Sequence, residues 1–220
     1  MLNHQPNSIE WRADTPFSTK FDDPYYSLDD GLAETEHVFL AGNHLPERYC
    51  DGFHIAELGF GTGLNLLVSL AAWRRSGQGG VLHYTSFEAF PLSPDQMITA
   101  HEAFAPLQDL AAELAPLWGT RITLPDLRFE VILGDARDSL PKWSVQADAW
   151  FLDGFSPAKN PELWEANLMA EVAAHTKTGG SCATYTAAGF VRRGLQAGGF
   201  AVTRCPGFGR KRHMTRGIKP

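Results

Sequence analysis

Glu57-Leu58-Gly59-Phe60-Gly61-Thr62-Gly63 is the stretch on which the reading of this chain turns. His54-Ile55-Ala56 ahead of it reads as the end of a buried strand. Leu64, Leu66, Leu67, Leu70, Ala71 and Trp73 behind it recur at helical spacing. The glycines therefore sit on a strand-to-helix turn, where glycine admits positive φ and its missing Cβ lets a ligand lie against the backbone. The first amides of the following helix are unpaired and point toward that ligand.

Two cofactor classes use such a turn. A dinucleotide fold asks for G-x-G-x-x-G, its third glycine giving close helix–strand packing. Here the glycines run G-x-G-x-G, Leu64 stands where the dinucleotide fold needs glycine, and Glu57 precedes the first glycine by two places. The pattern resembles the S-adenosylmethionine (SAM) turn of class I methyltransferases, in which a carboxylate suits an ammonium group better than a pyrophosphate. Glu57, Gly59, Gly61, Thr62 and Gly63 are the cofactor-binding candidates on this turn. A glycine-rich turn without a ligand is the bland alternative, disfavoured by the strand and helix on either side.

Outward from the turn, strands and helices alternate from Phe53 onward, which predicts an α/β fold with a mainly parallel, seven-stranded sheet covered on both faces. After the strand before Gly59, the expected strands are residues 81–87, 127–133, 147–152 and 181–186, with residues 200–204 and 211–218 closing the sheet as a hairpin. Helices are expected over residues 94–117, broken near Pro106, and over 162–175 and 188–197. Ligands of open α/β sheets lie beyond the carboxyl ends of the strands. Four successive strands deliver an acid there: Glu57, Glu88, Asp135 and Asp153. Any one alone is more often a helix cap or surface charge; four in register with a glycine turn are hard to assign to chance. Glu88 is expected to accept both ribose hydroxyls. Asp135, with Ala136 beside it, suits the exocyclic amine of adenine, and Glu57 and Asp153 lie toward the methionine end.

The loop Asp153-Gly154-Phe155-Ser156-Pro157-Ala158-Lys159-Asn160-Pro161-Glu162-Leu163-Trp164 follows the fourth strand, where an acceptor should sit. Asp153 and Phe155 are the catalytic candidates. The acid orients a nitrogen and is the one carboxylate in the first turn of the motif able to take its proton, while the aromatic ring packs on the acceptor. Trp164 reads as ordinary packing. Residues 1–50 stand apart from the nucleotide fold, giving two segments: 1–50 as an N-terminal extension, 51–220 as the methyltransferase domain. Within the extension, residues 32–40 read as a short helix capped by Asp29 or Asp30 and stopped near Gly42-Asn43. The extension reads equally as a solvated acidic arm or as a lid, with Phe17, Tyr25 and Tyr26 as stacking surfaces.

The glycine turn through Asn65 and the word Asp153-Gly154-Phe155-Ser156-Pro157-Ala158-Lys159-Asn160-Pro161 closely resemble the methyltransferase module of the MnmC-type tRNA-modification family. The N-terminal words Pro16-Phe17-Ser18, Phe21-Asp22-Asp23-Pro24-Tyr25-Tyr26-Ser27, Gly31-Leu32-Ala33-Glu34-Thr35 and Val38-Phe39-Leu40-Ala41-Gly42-Asn43 also resemble it, as does Gly207-Phe208-Gly209-Arg210-Lys211-Arg212. The resemblance implies SAM as cofactor and a tRNA anticodon loop as partner. It implies methylation of 5-aminomethyl-(2-thio)uridine at the wobble position to the 5-methylaminomethyl form. Bifunctional members carry a FAD-dependent oxidoreductase half. No FAD fingerprint occurs in these 220 residues, so a stand-alone form or a piece of a longer protein is expected.

The length suits one domain, and 44% hydrophobic with 20% charged residues suits a globular core. Met1-Leu2-Asn3-His4-Gln5-Pro6 lacks the basic start and apolar core of a signal peptide, and no apolar run is long enough to span a bilayer. Cys50, Cys182 and Cys205 form no C-x-x-C pair; they read as reduced thiols of a cytoplasmic protein with no metal site. A net charge of −6 argues against non-specific nucleic-acid coating but leaves room for a local basic patch. Lys159, Arg210, Lys211 and Arg212 are the candidates for tRNA phosphate, joined by Arg192 and Arg193, against the alternative of a solvated basic edge. Competing functions are a similar methyltransferase acting on a small-molecule or protein amine, an NAD-linked dehydrogenase disfavoured by Leu64, and a non-catalytic RNA-binding module.

Overall fold

Ile55, Ala56 and Leu58, like most of the apolar run at 147–152, are fully withdrawn from solvent, as central strands covered on both faces must be. The computed structural model describes residues 8–220. The reading of Met1 to Pro6 as lacking a leader, and the first seven residues of the 1–50 extension, lie outside that span. The chain runs β1 (Ile9–Arg12), β2 (Thr15–Ser18), β3 (Asp23–Pro24), α1 (Gly31–Thr35), β4 (His54–Leu58), α2 (Leu64–Arg75), β5 (Leu82–Glu88), α3 (Pro94–His101), α4 (Gln108–Leu114), β6 (Arg121–Leu124), β7 (Leu127–Leu133), α5 (Ala136–Ser139), β8 (Ala147–Leu152), α6 (Ala166–Ala174), β9 (Thr176–Thr184), α7 (Gly189–Ala197), β10 (Ala201–Pro206) and β11 (His213–Ile218).

The main sheet has the order β10-β11-β9-β8-β4-β5-β7-β6. Its five middle strands are parallel, while β6, β11 and β10 join antiparallel at the edges. The sheet is therefore mainly parallel, as expected, but eight-stranded rather than seven-stranded. The extra strand, β6, is a four-residue edge strand with Ile122 as its one buried residue, joined to β7 across Pro125-Asp126. That is too short for alternation to show. β9 starts five residues before the expected 181. Gly179 takes φ +76 inside the strand, where the pairing with β8 shifts register.

One face of the sheet packs under α2 and the N-terminal segment, around Phe39, Leu67, Trp73 and Phe151. The other packs under α6 and α7, around Trp150, Trp164 and Met169. The expected 94–117 helix is two helices, α3 and α4, with 3₁₀ turns at 105–107 and 115–117. Ser93 opens α3 with a capping box to Gln96. The expected 162–175 helix divides at an extended Glu165 into a 3₁₀ turn (Pro161–Trp164) and α6.

The extension is structured. β1, β2 and β3 form a small antiparallel sheet that sequence patterning did not reveal. Asp30 caps α1 by accepting from the Ala33 N–H at 2.9 Å. The helix then widens into a π-turn over Glu36–Leu40 before His44 ends the segment at φ +55. Glu34 and Thr35, at the end of α1, meet Lys211 and Asn65. Among the described residues, no helix is long and apolar enough to cross a membrane.

Candidate active site

The carboxyl ends of β4, β5, β7 and β8 open into a cavity of about 790 Å³, roofed by the N-terminal segment. Gly59 (φ +83) and Gly61 (φ +55) both need the left-handed region and both line it, as does Thr62. An added Cβ on Gly61 would meet the Tyr25 ring at 3.3 Å, so the turn lies directly under the roof. Gly63 does not line the cavity. It is the left-handed N-cap of α2 (φ +80), packed against Phe60, Met97 and Trp118, and its place on the turn is structural. The Thr62 carbonyl accepts from His101 Nε2 at 2.6 Å, which ties the turn to α3.

Glu88 accepts from the Gly61 N–H at 3.1 Å through Oε2 and from the Phe90 N–H at 2.6 Å through Oε1. Burial pushes its carboxyl up from the ordinary value, and those amides pull it partly back. Asp135 also reaches the cavity, but its two oxygens are committed to Arg137, with Oδ2 2.6 Å from Nη2. It caps α5 through the Arg137 N–H, and the arginine holds its carboxyl below the usual range. Ala136 lines the wall beside it.

Asp153 lies on the far side of the turn. Its Oδ1 accepts from the Gly154 N–H and its Oδ2 from Asn65 Nδ2, both at 2.8 Å. Burial raises its carboxyl to about 6 against those two donors. Glu57 is fully buried and does not line the cavity, so the expected direct contact with a ligand does not match its placement. Its Oε1 accepts from the same Asn65 amide at 2.8 Å. Burial pushes its carboxyl well above the ordinary value, the Asn65 donor pulls it partly back, and the nearby Asp153 charge raises it again.

Phe155 stacks on Phe21 of the extension (centroids 4.7 Å apart, 25° between planes), with Tyr25 edge-on at 5.1 Å. Phe21 also meets Phe90 edge-on at 5.6 Å. These rings form an aromatic wall drawn from three separate stretches of chain. Phe17 and Tyr26 divide: Tyr26 lines the cavity, whereas Phe17 is buried under Arg12 and offers it no face. Trp164 is buried, and its Nε1 donates to the Phe155 carbonyl at 3.0 Å.

The basic candidates are not equivalent. Lys159 donates to the Asp22 carbonyl and stands 3.7 Å from Asp23, so it clasps the extension and does not line the cavity. Lys211 does line it, paired to Glu34 at 2.7 Å and placed 4.1 Å over the Tyr185 ring. Arg210 lines the mouth, exposed and 3.7 Å from Asp29. Arg212 is exposed and does not line it. Sequence reasoning assigned no role to Asn65, Glu34, Thr35, Phe21 or Tyr185, whose hydroxyl donates to the Gly154 carbonyl at 2.7 Å. Asn65 had a visible signal, a buried polar residue in the otherwise apolar first turn of α2.

A parallel sheet with a glycine turn after its central strand, and an amide-held carboxylate ending the neighbouring strand, define a Rossmann-like class I methyltransferase. The chain belongs to the S-adenosyl-L-methionine-dependent methyltransferase family, whose profile matches residues 101–220. It is 44% identical over 217 residues to the tRNA 5-methylaminomethyl-2-thiouridine biosynthesis bifunctional protein MnmC of Hahella chejuensis, covering 92% of this chain and 35% of that protein. The protein of the same name from Caulobacter sp. strain K31 is 45% identical, covering 100% of this chain and 39% of its own length. The chain thus spans little more than a third of these relatives. The crystal structure of MNMC2 from Aquifex aeolicus superposes with a TM-score of 0.76 at 27% identity, covering 100% of this chain and 74% of that one.

SAM is therefore the cofactor of this fold, and the cavity fits it. Gly59 and Gly61 line it, and Glu88, with an amide on each oxygen, would still accept from a ribose diol. Replacing Glu88 by Gln is expected to weaken SAM binding about tenfold or more, the scale of one charge-assisted hydrogen bond. Asp135→Asn should change it by less than about threefold, because Arg137 already holds that carboxylate. Isothermal titration with SAM reads both.

Proposed function

We propose that the chain is a SAM-dependent N-methyltransferase that converts 5-aminomethyl-(2-thio)uridine at the tRNA wobble position to its 5-methylaminomethyl form. One observation carries the reading: Asp153 lines the same cavity as the glycine turn and the aromatic cluster of Phe21, Tyr25 and Phe155. The names of the relatives supply the substrate. Bound SAM supplies an electrophilic methyl group on a sulfonium.

The chain's own residues do the rest. Gly59, Gly61, Thr62, Glu88 and Ala136 hold the nucleoside end of the donor. Glu57 supports the site from beneath through Asn65. The cluster of Phe155, Phe21 and Tyr25 offers an aromatic surface to a uracil ring turned out of the anticodon loop. Asp153 accepts an N–H of the acceptor amine and aims its lone pair; the amine gains a methyl group and gives up one proton, with Asp153 the nearest base. Arg210 and Lys211 meet phosphate at the mouth and Arg212 on the exposed surface beyond it, with contacts independent of sequence. In a longer protein, the FAD-dependent oxidoreductase half would supply the aminomethyl substrate. The proposed tRNA substrate implies a cytoplasmic location.

Because Asp153 ionises at about 6, activity should rise as pH climbs through that value: below it the carboxyl is neutral, above it the carboxylate attracts the amine's protons. Mass analysis of nucleosides from tRNA lacking the wobble methyl, incubated with SAM and this protein, tests the function. A new 5-methylaminomethyl nucleoside is expected. Methyl incorporation confined to small-molecule or protein amines would move the acceptor to another class.

A further inference from the structure

We propose that Asn65 is the positioning residue for Asp153: its amide fixes the rotation of that carboxylate in the cavity, and Thr35 of the N-terminal segment fixes the amide. The inference rests on the assignment of Asp153 as the group that orients the acceptor. Asn65 sits in the first turn of α2, buried, with every polar atom of its side chain engaged. One hydrogen of its NH₂ goes to Asp153 Oδ2 and the other to Glu57 Oε1, each at 2.8 Å. Its carbonyl oxygen accepts from the Thr35 hydroxyl at 3.0 Å.

This arrangement leaves the amide one orientation. Two carboxyl oxygens demand the nitrogen side, and turning the amide over would set its oxygen against both. Asp153 is thus clamped by one donor from its own loop, the Gly154 N–H, and one from α2. Its remaining lone pairs are those an amine can reach. Asn65 thus joins two buried carboxyl groups, of which burial pushes Glu57 well above the ordinary value. Aspartate at 65 would lose both donated hydrogen bonds; leucine keeps the volume and loses all three. Thr35 lies where α1 widens into the π-turn, so the roof of the cavity and the acid beneath it are joined by a single side chain.

Other charged or titratable groups also act on Asp153. Glu57 and Tyr84 face it from the sheet, Glu34 from α1, Lys211 from the β10–β11 connection, and Tyr185 from just past β9. Of these, Asn65 touches Glu57 alone; losing that donor raises the Glu57 carboxyl further, which cannot push the Asp153 titration upward, so an upward displacement reports the donor that Asp153 itself has lost.

The test compares Asn65→Leu, Thr35→Val, Thr35→Ser and Asp153→Asn in methyl transfer to tRNA bearing the aminomethyl uridine, in SAM titration, and in carbon-detected NMR titration of the Asp153 carboxyl. Asn65→Leu is expected to lower kcat roughly 30- to 100-fold, the cost of a misaligned catalytic group, with SAM affinity within about threefold. The Asp153 titration should move to higher pH, because a donor to its charged form is gone. Thr35→Val should shift both readouts the same way by less, and Thr35→Ser should restore them. If Asn65→Leu does not fold, the Thr35 pair decides on the same readouts. Wild-type kcat and titration in Asn65→Leu beside an inactive Asp153→Asn would overturn the positioning role alone. Wild-type turnover in Asp153→Asn would remove the assignment beneath it. Equal impairment in Thr35→Val and Thr35→Ser would sever the link to the roof.

Discussion

Asp153→Asn is expected to lower kcat for methyl transfer by about 10²- to 10³-fold while SAM affinity falls by no more than a few-fold, the range for loss of a positioned acid–base group. Asparagine has nearly the shape of aspartate, but the site does not suit it. Two donors converge on the wild-type side chain, the Gly154 N–H and the Asn65 amide, and asparagine offers one acceptor oxygen. Whichever way it turns, an NH₂ faces a donor. The substitution therefore removes the charge that attracts the amine's protons and disturbs the clamp, without touching Gly61, Thr62 or Glu88. Steady-state kinetics paired with calorimetry separates the two quantities. The variant should also lose the rise in rate through about pH 6, since no carboxyl remains at 153 to ionise. A variant with wild-type kcat would leave the amine to be oriented by something else in the cavity.

Gly59→Ala is the second large effect. The residue sits at φ +83, where a Cβ costs about 1–2 kcal/mol on conformation alone. The added atom would also lie 3.0 Å from Gly154 Cα and 3.1 Å from both Gly154 N and the Asp153 carbonyl oxygen. Those neighbours are main chain and cannot swing aside, so either the turn or the loop bearing Asp153 must move. SAM affinity is expected to fall more than about tenfold, with methyl transfer lost beyond that, since a misplacement near 1 Å can cost 10²-fold. Gly52→Ala is the control: φ there is +75, but nothing lies within 4 Å of the new atom. It should show the conformational cost in thermal melts and leave SAM binding unchanged. If the two variants bind SAM equally, the contact between turn and loop does not matter.

The parts of this molecule legible in sequence are those governed by local pattern. Residues 127–133 and 147–152 are strands to the residue, because each is an apolar run bounded by turn residues. The acids at 88, 135 and 153 all reach the cavity, because strand ends in a parallel sheet share one edge. What escaped depends on partners remote in sequence. Nothing near Lys159 announces that Asp22 and Asp23 will hold it, nor does the turn around Gly63 show that α3 and Trp118 will cover that glycine. Glu57 looked like a ligand because it stands beside the glycines; the strand's alternation sends its side chain beneath the turn instead. The small sheet at 9–24 stayed hidden because its strands are two to four residues long. Asn65 was the opposite case: its polarity inside an apolar helical turn was visible, and only the carboxyl groups on either side give it meaning.

The pairing of basic side chains with acids of the extension has a thermodynamic consequence for the proposed tRNA substrate. Lys159 and Lys211 already hold Asp22, Asp23 and Glu34, and Arg210 stands near Asp29. A phosphate that reaches one of these side chains frees a carboxylate, whose own uptake of a cation offsets the counterion released from the RNA. The logarithm of RNA affinity should then fall with the logarithm of salt concentration less steeply than a count of basic residues would give. Neutralising those acids, rather than adding cations, is the change that would steepen it.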